Sequence, residues 1–415
     1  MKKTVETYPY RIIPFDIGKN LNDTDCSLLM EFLDHSEFPL KQLTARQKSI
    51  FKNILCSCYS NNNHELTFFI FKNGIVVCCI LDESLSFDER ESSSFSIKYG
   101  ENRKKAHNEL FQWEHRFSTE IWGFIEQLRI IVRQNNDIRS IRKSSSIDFE
   151  NRGLSYVMTL SMFAISKDIT GNKGFKGYPK WLQNNIYAML DPSLVFLEDS
   201  SVFLTSEDIT YDLERIIDDI ECDEIPKDYE KHRNVDIYMS WAAVLVVGEI
   251  TGTEIEEYLT LEIQLQCDWY YIYCMEKELD NVDRLEERDA VIRLQEKGYE
   301  IELIKNRLYD FDDSSMPSRI IDIQQGLVET SGLDENIEHL NRRIAFVLER
   351  EKLHSEIRQK KLAQSSELLL FIIAFIEIAP TVAEYGEKIF HNAGVIVNLV
   401  IIVIGLVLLL RKDRL

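Results

Sequence analysis

Residues 368–385 have the sequence LLLFIIAFIEIAPTVAEY, and residues 394–410 have the sequence GVIVNLVIIVIGLVLLL, with eight residues between them. As α-helices that rise about 1.5 Å per residue, each segment reaches roughly 26 Å, which is near the thickness of the hydrocarbon core of a bilayer. The link is too short to hold a domain, so the sequence predicts a two-helix transmembrane hairpin over residues 367–410. A buried hairpin in a protein core is the alternative, and the all-round apolar character of residues 394–410 argues against it.

Positive charges flank the apolar segments and predict their orientation. Lysine and arginine collect on the cytoplasmic side of membrane proteins. Three basic residues precede the first segment and three follow the second, whereas the link holds one lysine opposed by a glutamate: Arg358, Lys360, Lys361, Arg411, Lys412, Arg414, Lys388 and Glu387. We therefore expect a multi-pass protein of the cell inner membrane with N- and C-termini in the cytoplasm and a basic cytosolic tail, residues 411–415. The polar residues 1–11 predict no signal peptide.

Composition limits what the rest of the chain can do. About 360 residues precede the hairpin, enough for two domains or for one large domain with a helical extension. The formal net charge of −21 argues against binding to the backbone of a nucleic acid. The eight cysteines show no paired zinc spacing, so we expect free, mostly buried thiols in a cytosolic domain.

Residues 1–250 have the patterns of a cytosolic mixed α/β domain. Two apolar runs within residues 66–80 lie on either side of Asn73-Gly74, a dipeptide typical of tight hairpin turns. Residues 8–17 predict an edge strand, because two prolines limit the pairing of this segment. Other segments with clear periodicity are a helix at 104–135, a strand at 154–165 and a strand-like run at 235–250.

Residues 251–366 change in character and predict a helical stalk that leads to the hairpin. Helical patterns cover residues 253–277, residues 279–311 and a final helix from residue 318, with an interruption at Ser331-Gly332. The final helix contains an apolar seam. This seam either joins several copies of the chain around an axis or packs within one chain against residues 279–311. The seam residues are Leu333, Ile337, Leu340, Ile344 and Val347. The predicted fold class is therefore α+β, with a mixed α/β domain, a long helical stalk and a C-terminal two-helix transmembrane hairpin.

Polar residues in and beside the apolar segments are candidate pore-lining residues. An ionisable side chain inside a membrane is costly unless it faces protein or water, and a ring of glutamates in a symmetric oligomer selects cations. The candidates are Glu367, Glu377, Thr381 and Asn398. Alternatively, Glu377 lies near the membrane interface, where it reaches water or is protonated.

Three residues of the cytosolic part are candidate ligand-binding residues. Arg152 belongs to a basic island, Lys173 lies in a glycine-rich stretch whose backbone amides could cradle an anion, and Asp219 lies in a strongly acidic stretch. For each of them, a solvated surface residue is the alternative. The sequence contains no spacing typical of a catalytic motif, so we expect no enzyme.

The layout of the chain resembles the CorA family of divalent-cation channels. The resemblance rests on an N-terminal α/β part, long helices, a C-terminal hairpin, a basic tail, and Tyr385-Gly386 at the end of the first apolar segment. The family motif is Tyr-Gly-Met-Asn, and here Glu387 and Lys388 stand at its last two positions. The resemblance implies a homo-oligomer, a pentamer as in the family, whose first span lines a pore for a divalent cation such as magnesium. The asparagine that orders the hydrated ion is replaced here, which puts magnesium selectivity in question.

The chain is also similar to the divergent CorA-like proteins associated with type III CRISPR systems, because its extra length lies in the cytosolic part. In that group a nucleotide messenger, S-adenosylmethionine joined to AMP (SAM-AMP), binds the cytosolic domain, and the membrane part is an effector of antiviral defence. We therefore expect an oligomeric CorA-like membrane channel or membrane effector, gated by a ligand on its cytosolic domain. The alternatives are a magnesium or other divalent-cation transporter and a membrane-anchored scaffold or enzyme. The expected partners are the lipid bilayer, other copies of the chain and a small nucleotide.

Overall fold

A computed structural model describes residues 4–59, 65–81, 86–88, 118–134, 158–165, 235–239, 243–279, 287–309, 318–387 and 400. The chain divides into two compact units, Met1–Ile344 and Ala345–Leu415, which are named here unit 1 and unit 2. Unit 1 contains a mixed β-sheet with helices packed on it, so the mixed α/β part of the predicted fold is confirmed.

The sheet of unit 1 has eight strands in the order β2-β3-β4-β1-β6-β8-β7, with β5 paired to β1 beside this path. All described pairs are antiparallel except β6 with β8, which run parallel. The strands are β1 (Thr4–Asp16), β2 (Ile54–Tyr59), β3 (Leu66–Phe71), β4 (Ile75–Leu81), β5 (Ser86–Asp88), β6 (Met158–Ile165), β7 (Val235–Met239) and β8 (Ala243–Gly248).

Seven helices lie in the described part of the chain. They are α1 (Asp23–His35), α2 (Ala45–Ile50), α3 (Ser118–Gln134), α4 (Gly252–Leu279), α5 (Glu287–Tyr309), α6 (Ser318–Ser331) and α7 (Leu333–Glu387). The first six belong to unit 1, and α7 contributes residues to both units. The predicted helix at 104–135 is confirmed over α3, and its first part lies outside the described residues.

The β3–β4 hairpin is confirmed, with its turn at Asn73-Gly74. Gly74 has a φ of 79°, a left-handed conformation that glycine adopts without steric cost, and its N–H donates to the Phe71 carbonyl oxygen at 3.0 Å. The two strands pair in register from Leu66 with Ile80 to Ile70 with Val76. Both strands are buried almost throughout, which explains their continuous apolar sequences rather than alternating ones.

The prediction that residues 8–17 form an edge strand is wrong, because β1 lies between β4 and β6 in the middle of the sheet. The register explains how a central strand accommodates two prolines. Pro9 pairs with Ser161 of β6 at a position that β4 does not reach, and Pro14 pairs with Val77 of β4 beyond the end of the pairing with β6. Each proline therefore lies where β1 has a neighbour on one side only, and a nitrogen that faces the other side removes no ladder bond.

Helices cover both faces of the sheet. On one face, α1 and α3 pack in a core with inward-facing residues of the strands, and the rings of Phe68 and Phe124 lie 4.2 Å apart between centroids. On the other face, α4 contacts β1, β4 and β6, and Phe51 packs against Phe69 and Phe71 of β3. The sheet is thus the middle layer of unit 1, and α4 lies across its centre.

The interruption predicted at Ser331-Gly332 is confirmed as the boundary between α6 and α7. Gly332 has a φ of 62°, which ends one helix and lets the next begin. The seam residues that follow, Leu333, Ile337, Leu340 and Ile344, are buried within the single chain. Asn341 beside them donates to Glu302 Oε1 of α5 at 3.2 Å, so this part of the seam packs against α5, in agreement with the intrachain alternative.

The predicted two-helix transmembrane hairpin over residues 367–410 is wrong. Among the residues that the structure describes, no helix combines the length and the apolar character that crossing a membrane requires. Residues 368–385 instead continue α7, and their unbroken apolar run ends after residue 376, at Glu377. That run of nine residues is about 14 Å long as a helix, roughly half the hydrocarbon core. The second predicted span, 394–410, lies outside the described residues except for Val400.

Candidate functional site

The predicted site residues fall into three groups. Glu367 and Glu377 are exposed on α7, ten residues apart and therefore separated by about 15 Å along the helix. Thr381, Tyr385 and Gly386 belong to α7, and the side chains of Thr381 and Tyr385 lie outside the described part. The remaining candidates, Asn398, Arg152, Lys173 and Asp219, lie outside the described residues. The described candidates are thus not brought together into one site.

In the described part of unit 2, a run of exposed apolar residues lies on α7 at residues 368–378, named here the apolar segment. Eight of its eleven residues are large and apolar and are exposed to solvent: Leu368, Leu369, Leu370, Phe371, Ile372, Ile373, Ile376 and Ile378. The first six are consecutive, so successive steps of about 100° distribute them around the whole circumference of the helix. An exposed apolar patch of this kind marks a surface that binds something apolar.

Residues 358–367 of α7, just before the apolar segment, are mostly polar and include three basic residues and one acidic residue. Arg358, Lys360 and Lys361 are exposed, and the hydroxyl groups of Ser365 and Ser366 donate to backbone carbonyls of the preceding turn at 2.8 Å each. The helix therefore changes within about two turns from a cationic surface to an apolar one. This order of charge and apolar surface is typical of a helix at a membrane–water interface.

In unit 1, α4 is the helix that ties the sheet to the other helices. Its start is fixed by a capping box, in which the Thr251 N–H donates to Glu254 Oε2 at 2.9 Å and the Glu254 N–H donates to Thr251 Oγ1 at 3.4 Å. Farther along, the Tyr271 hydroxyl lies 2.6 Å from Glu300 Oε2 of α5 and 2.9 Å from Asn20 Oδ1, just after β1. Because these contacts fix α4 along its length, side chains on its buried faces are held in place.

Two glutamine–carboxylate pairs lie on α4 with the same four-residue spacing. Gln264 Nε2 donates to Asp268 Oδ2 at 2.9 Å, and Gln266 Nε2 donates to Glu262 Oε1 at 2.7 Å. All four side chains are buried. Burial in a medium that disfavours charge raises the pKa of Glu262 from 4.5 to about 7, and the hydrogen bond from Gln266 opposes this rise. Glu262 can therefore exchange a proton near neutral pH.

Aromatic and cationic residues continue the Glu262–Gln266 face of α4. Trp269 and Tyr273 stack with their ring planes 2° apart and their centroids at 6.0 Å. Lys277 Nζ lies 5.3 Å from the centroid of the Tyr273 ring, a cation–π contact. Trp269, Tyr273 and Lys277 follow Gln266 by three, seven and eleven residues, a spacing that places all three on one side of the helix.

Burial makes several of the described thiols poor nucleophiles. Cys56, Cys58 and Cys78 are buried in the core, and burial raises the pKa of the Cys56 thiol to about 12. A thiol with so high a pKa carries almost no thiolate at neutral pH, so it is a poor nucleophile and a poor metal ligand. The prediction of free thiols is confirmed for the described cysteines. Among all residues that the structure describes, no group of three or more histidine, cysteine or acidic side chains could hold a metal ion.

Glu262 and Gln266 are the functional candidates that the sequence did not reveal. Acidic and amide residues in a helix usually lie on its solvated side, and the aromatic residues are the more conspicuous feature of this segment. A signal was nevertheless present, because Ile263 and Leu265 adjoin Glu262 and Gln266, and a helix with apolar residues on all sides is usually buried. Polar residues within such a helix are candidates for a buried site.

Comparison of the chain with protein-family models, with curated proteins and with solved structures gives no match.

Proposed function

We propose that the chain is a membrane effector that binds a lipid bilayer through the apolar segment of α7. The observation that carries the proposal is the exposure of large apolar side chains around the whole circumference of the helix over residues 368–373. A groove on another protein covers one side of a helix, whereas lipid surrounds a helix segment that enters the apolar layer. Lipid is therefore the partner that fits this surface best.

Charge supports the same partner. Arg358, Lys360 and Lys361 precede the apolar segment, although the chain as a whole has a net charge of −21. Basic residues next to an apolar helix face attract the anionic head groups of a membrane, each contributing about 1 kcal/mol near the surface. The long stems of lysine and arginine also let their charges remain in the head-group region while the neighbouring residues enter the apolar layer.

The proposal keeps the membrane effector of the expected function and leaves out the transmembrane channel. Gating by a SAM-AMP type of nucleotide, a pentameric assembly, a role in antiviral defence, conduction of magnesium or another cation, and an inner-membrane location with both termini in the cytoplasm stay predictions. The alternative functions, a divalent-cation transporter and a membrane-anchored scaffold or enzyme, also stay predictions.

A vesicle flotation assay with the full chain tests the proposal. The vesicles contain phosphatidylcholine with phosphatidylglycerol, and the protein variant is Ile373→Lys. A lysine in the apolar layer costs roughly 3 kcal/mol relative to isoleucine, so binding to the vesicles should weaken by one to two orders of magnitude.

Ile292→Lys is the matched control, because Ile292 of α5 is exposed to the same extent as Ile373 (47% and 46%) but lies in unit 1. It should bind the vesicles as the unsubstituted chain does. Equal flotation of both variants, or no flotation of the unsubstituted chain, would contradict the proposal.

A further inference from the structure

One face of α4 holds two buried oxygen atoms that lack hydrogen-bond partners. Glu262 is 1% exposed and Gln266 is 2% exposed. Gln266 Nε2 donates to Glu262 Oε1, which leaves Glu262 Oε2 and Gln266 Oε1. In the part of the chain that the structure describes, neither of these two oxygens has a partner. They are named here the acceptor pair.

A neighbouring glutamine–carboxylate pair on α4 has a hydrogen-bond donor that the acceptor pair lacks. Gln264 and Asp268 have the same chemistry and spacing, and there the backbone N–H of Lys52 donates to Gln264 Oε1 at 2.8 Å. A donor from a neighbouring segment thus completes one pair, and the corresponding oxygen of the other pair is without one. Buried polar groups in folded proteins are nearly always satisfied, so the acceptor pair calls for a donor from outside the described chain.

The chemistry of the acceptor pair restricts that donor. While Glu262 is ionised, neither oxygen of the acceptor pair carries a hydrogen, so a ligand that binds both must supply N–H or O–H donors or a positive charge. A divalent metal ion takes six or more oxygen ligands, and the described residues contain no cluster of side chains able to hold one. A planar amidinium or guanidinium group fits better, because it presents two parallel N–H donors and one positive charge.

The aromatic residues on the same face favour a planar cation. Trp269, one turn beyond Gln266, is only partly buried, so its ring is accessible from solvent. Flat cations stack on aromatic rings, and Lys277 over the Tyr273 ring shows that this face already attracts a positive charge.

We propose that the Glu262–Gln266 acceptor pair is a binding site for the amidinium or guanidinium group of a small cationic ligand, with Trp269 beside it. The site lies wholly in unit 1, so it stands independently of the lipid contact proposed above.

Calorimetric titration of the full chain with benzamidine, which joins an amidinium group to a flat ring, tests this site. The unsubstituted chain should bind benzamidine, and Glu262→Gln should bind it at least about tenfold more weakly, because a charge-assisted pair of hydrogen bonds is lost. Asp268→Asn is the matched control, since it makes the same change of acid to amide in the completed pair. Its affinity should be unchanged within about twofold.

Three outcomes would overturn the inference. They are equal affinity of the unsubstituted chain and Glu262→Gln, an absence of binding to the unsubstituted chain, and an experimental structure grown with benzamidine that shows only a water molecule between the two oxygens. Should Glu262→Gln fail to fold, as judged by circular dichroism, Gln266→Leu removes the other acceptor with an apolar side chain of similar size and should weaken binding in the same way.

Discussion

Glu262 contributes to stability in a way that depends on its proton. Because burial raises the pKa of the folded state from 4.5 to about 7, the folded chain holds the proton more tightly than the unfolded chain does. The stabilising contribution is fully present below about pH 4.5, falls as the pH rises, and is lost above about pH 7. The shift corresponds to roughly 3 kcal/mol across this interval.

We predict that Glu262→Gln becomes progressively more stable than the unsubstituted chain as the pH rises from 4.5 to 7, measured in the absence of ligand. The glutamine has no proton to lose, so the difference in free energy of unfolding between the two proteins should change by up to roughly 3 kcal/mol. Urea unfolding at a series of pH values measures this difference, in which the titration of all other groups cancels. A difference that stays constant with pH would show that Glu262 does not titrate in this range.

Substitution of glycine by alanine should change the free energy of unfolding in opposite directions at Gly332 and Gly298. Gly332 has a φ of 62° and open space where a Cβ would lie, so Gly332→Ala should cost about 1–2 kcal/mol from backbone strain alone. Gly298 lies in α5, where an added Cβ would meet Ile344 Cγ2 at an ordinary 3.9 Å, so Gly298→Ala should stabilise unit 1 by up to about 1 kcal/mol. Thermal unfolding of both variants measures the change in stability. If both variants became more stable, or both less stable, the assigned backbone conformations would be contradicted.

At the scale of elements, α3 offers a test of the core on the face of the sheet opposite α4. Ile125 is fully buried, whereas Ile130 on the same helix is 45% exposed. Ile125→Ala should lower the free energy of unfolding by about 2–5 kcal/mol through lost burial and a new cavity, and Ile130→Ala should lower it by less than about 1 kcal/mol. Chemical unfolding followed by circular dichroism compares the two, and similar losses would mean that α3 presents a different face to the sheet.

The elements themselves could be predicted from local sequence. The β3–β4 hairpin follows from Asn73-Gly74, and α3 follows from the spacing of Ile121, Phe124 and Leu128. The position of β1 could not be predicted, because strand order depends on pairing between segments far apart in the chain. The two prolines suggested an edge, and only the register reveals that each lies beyond the end of one neighbouring strand.

The candidate site could be predicted less well than the elements. The apolar segment is plain in the sequence, but the predicted span is longer than the apolar run, because it includes Glu377 and the polar residues after it. The acceptor pair escaped prediction for a different reason. Whether a glutamate and a glutamine on a helix are solvated or buried depends on what packs against that helix, and this is a property of the tertiary fold.

At the scale of the whole molecule, the two units carry different features. Unit 1 holds a sheet covered on both faces and a buried polar site on α4, and unit 2 holds the apolar segment with its basic flank. The central claim is that lipid covers the apolar segment in the working protein. It accounts for large apolar residues that a water-exposed helix would otherwise leave uncovered at a cost of about 25 cal/mol for each Å² of apolar surface.

Photolabelling by a lipid that carries a diazirine in its acyl chain tests the central claim most directly. The full chain is bound to vesicles, irradiated and digested, and the labelled residues are identified by mass spectrometry. The account predicts labels concentrated within residues 368–378 and none at Ile292, Tyr299 or Leu303, the exposed apolar residues of α5. Labels absent from residues 368–378, or equally frequent on α5, would contradict it.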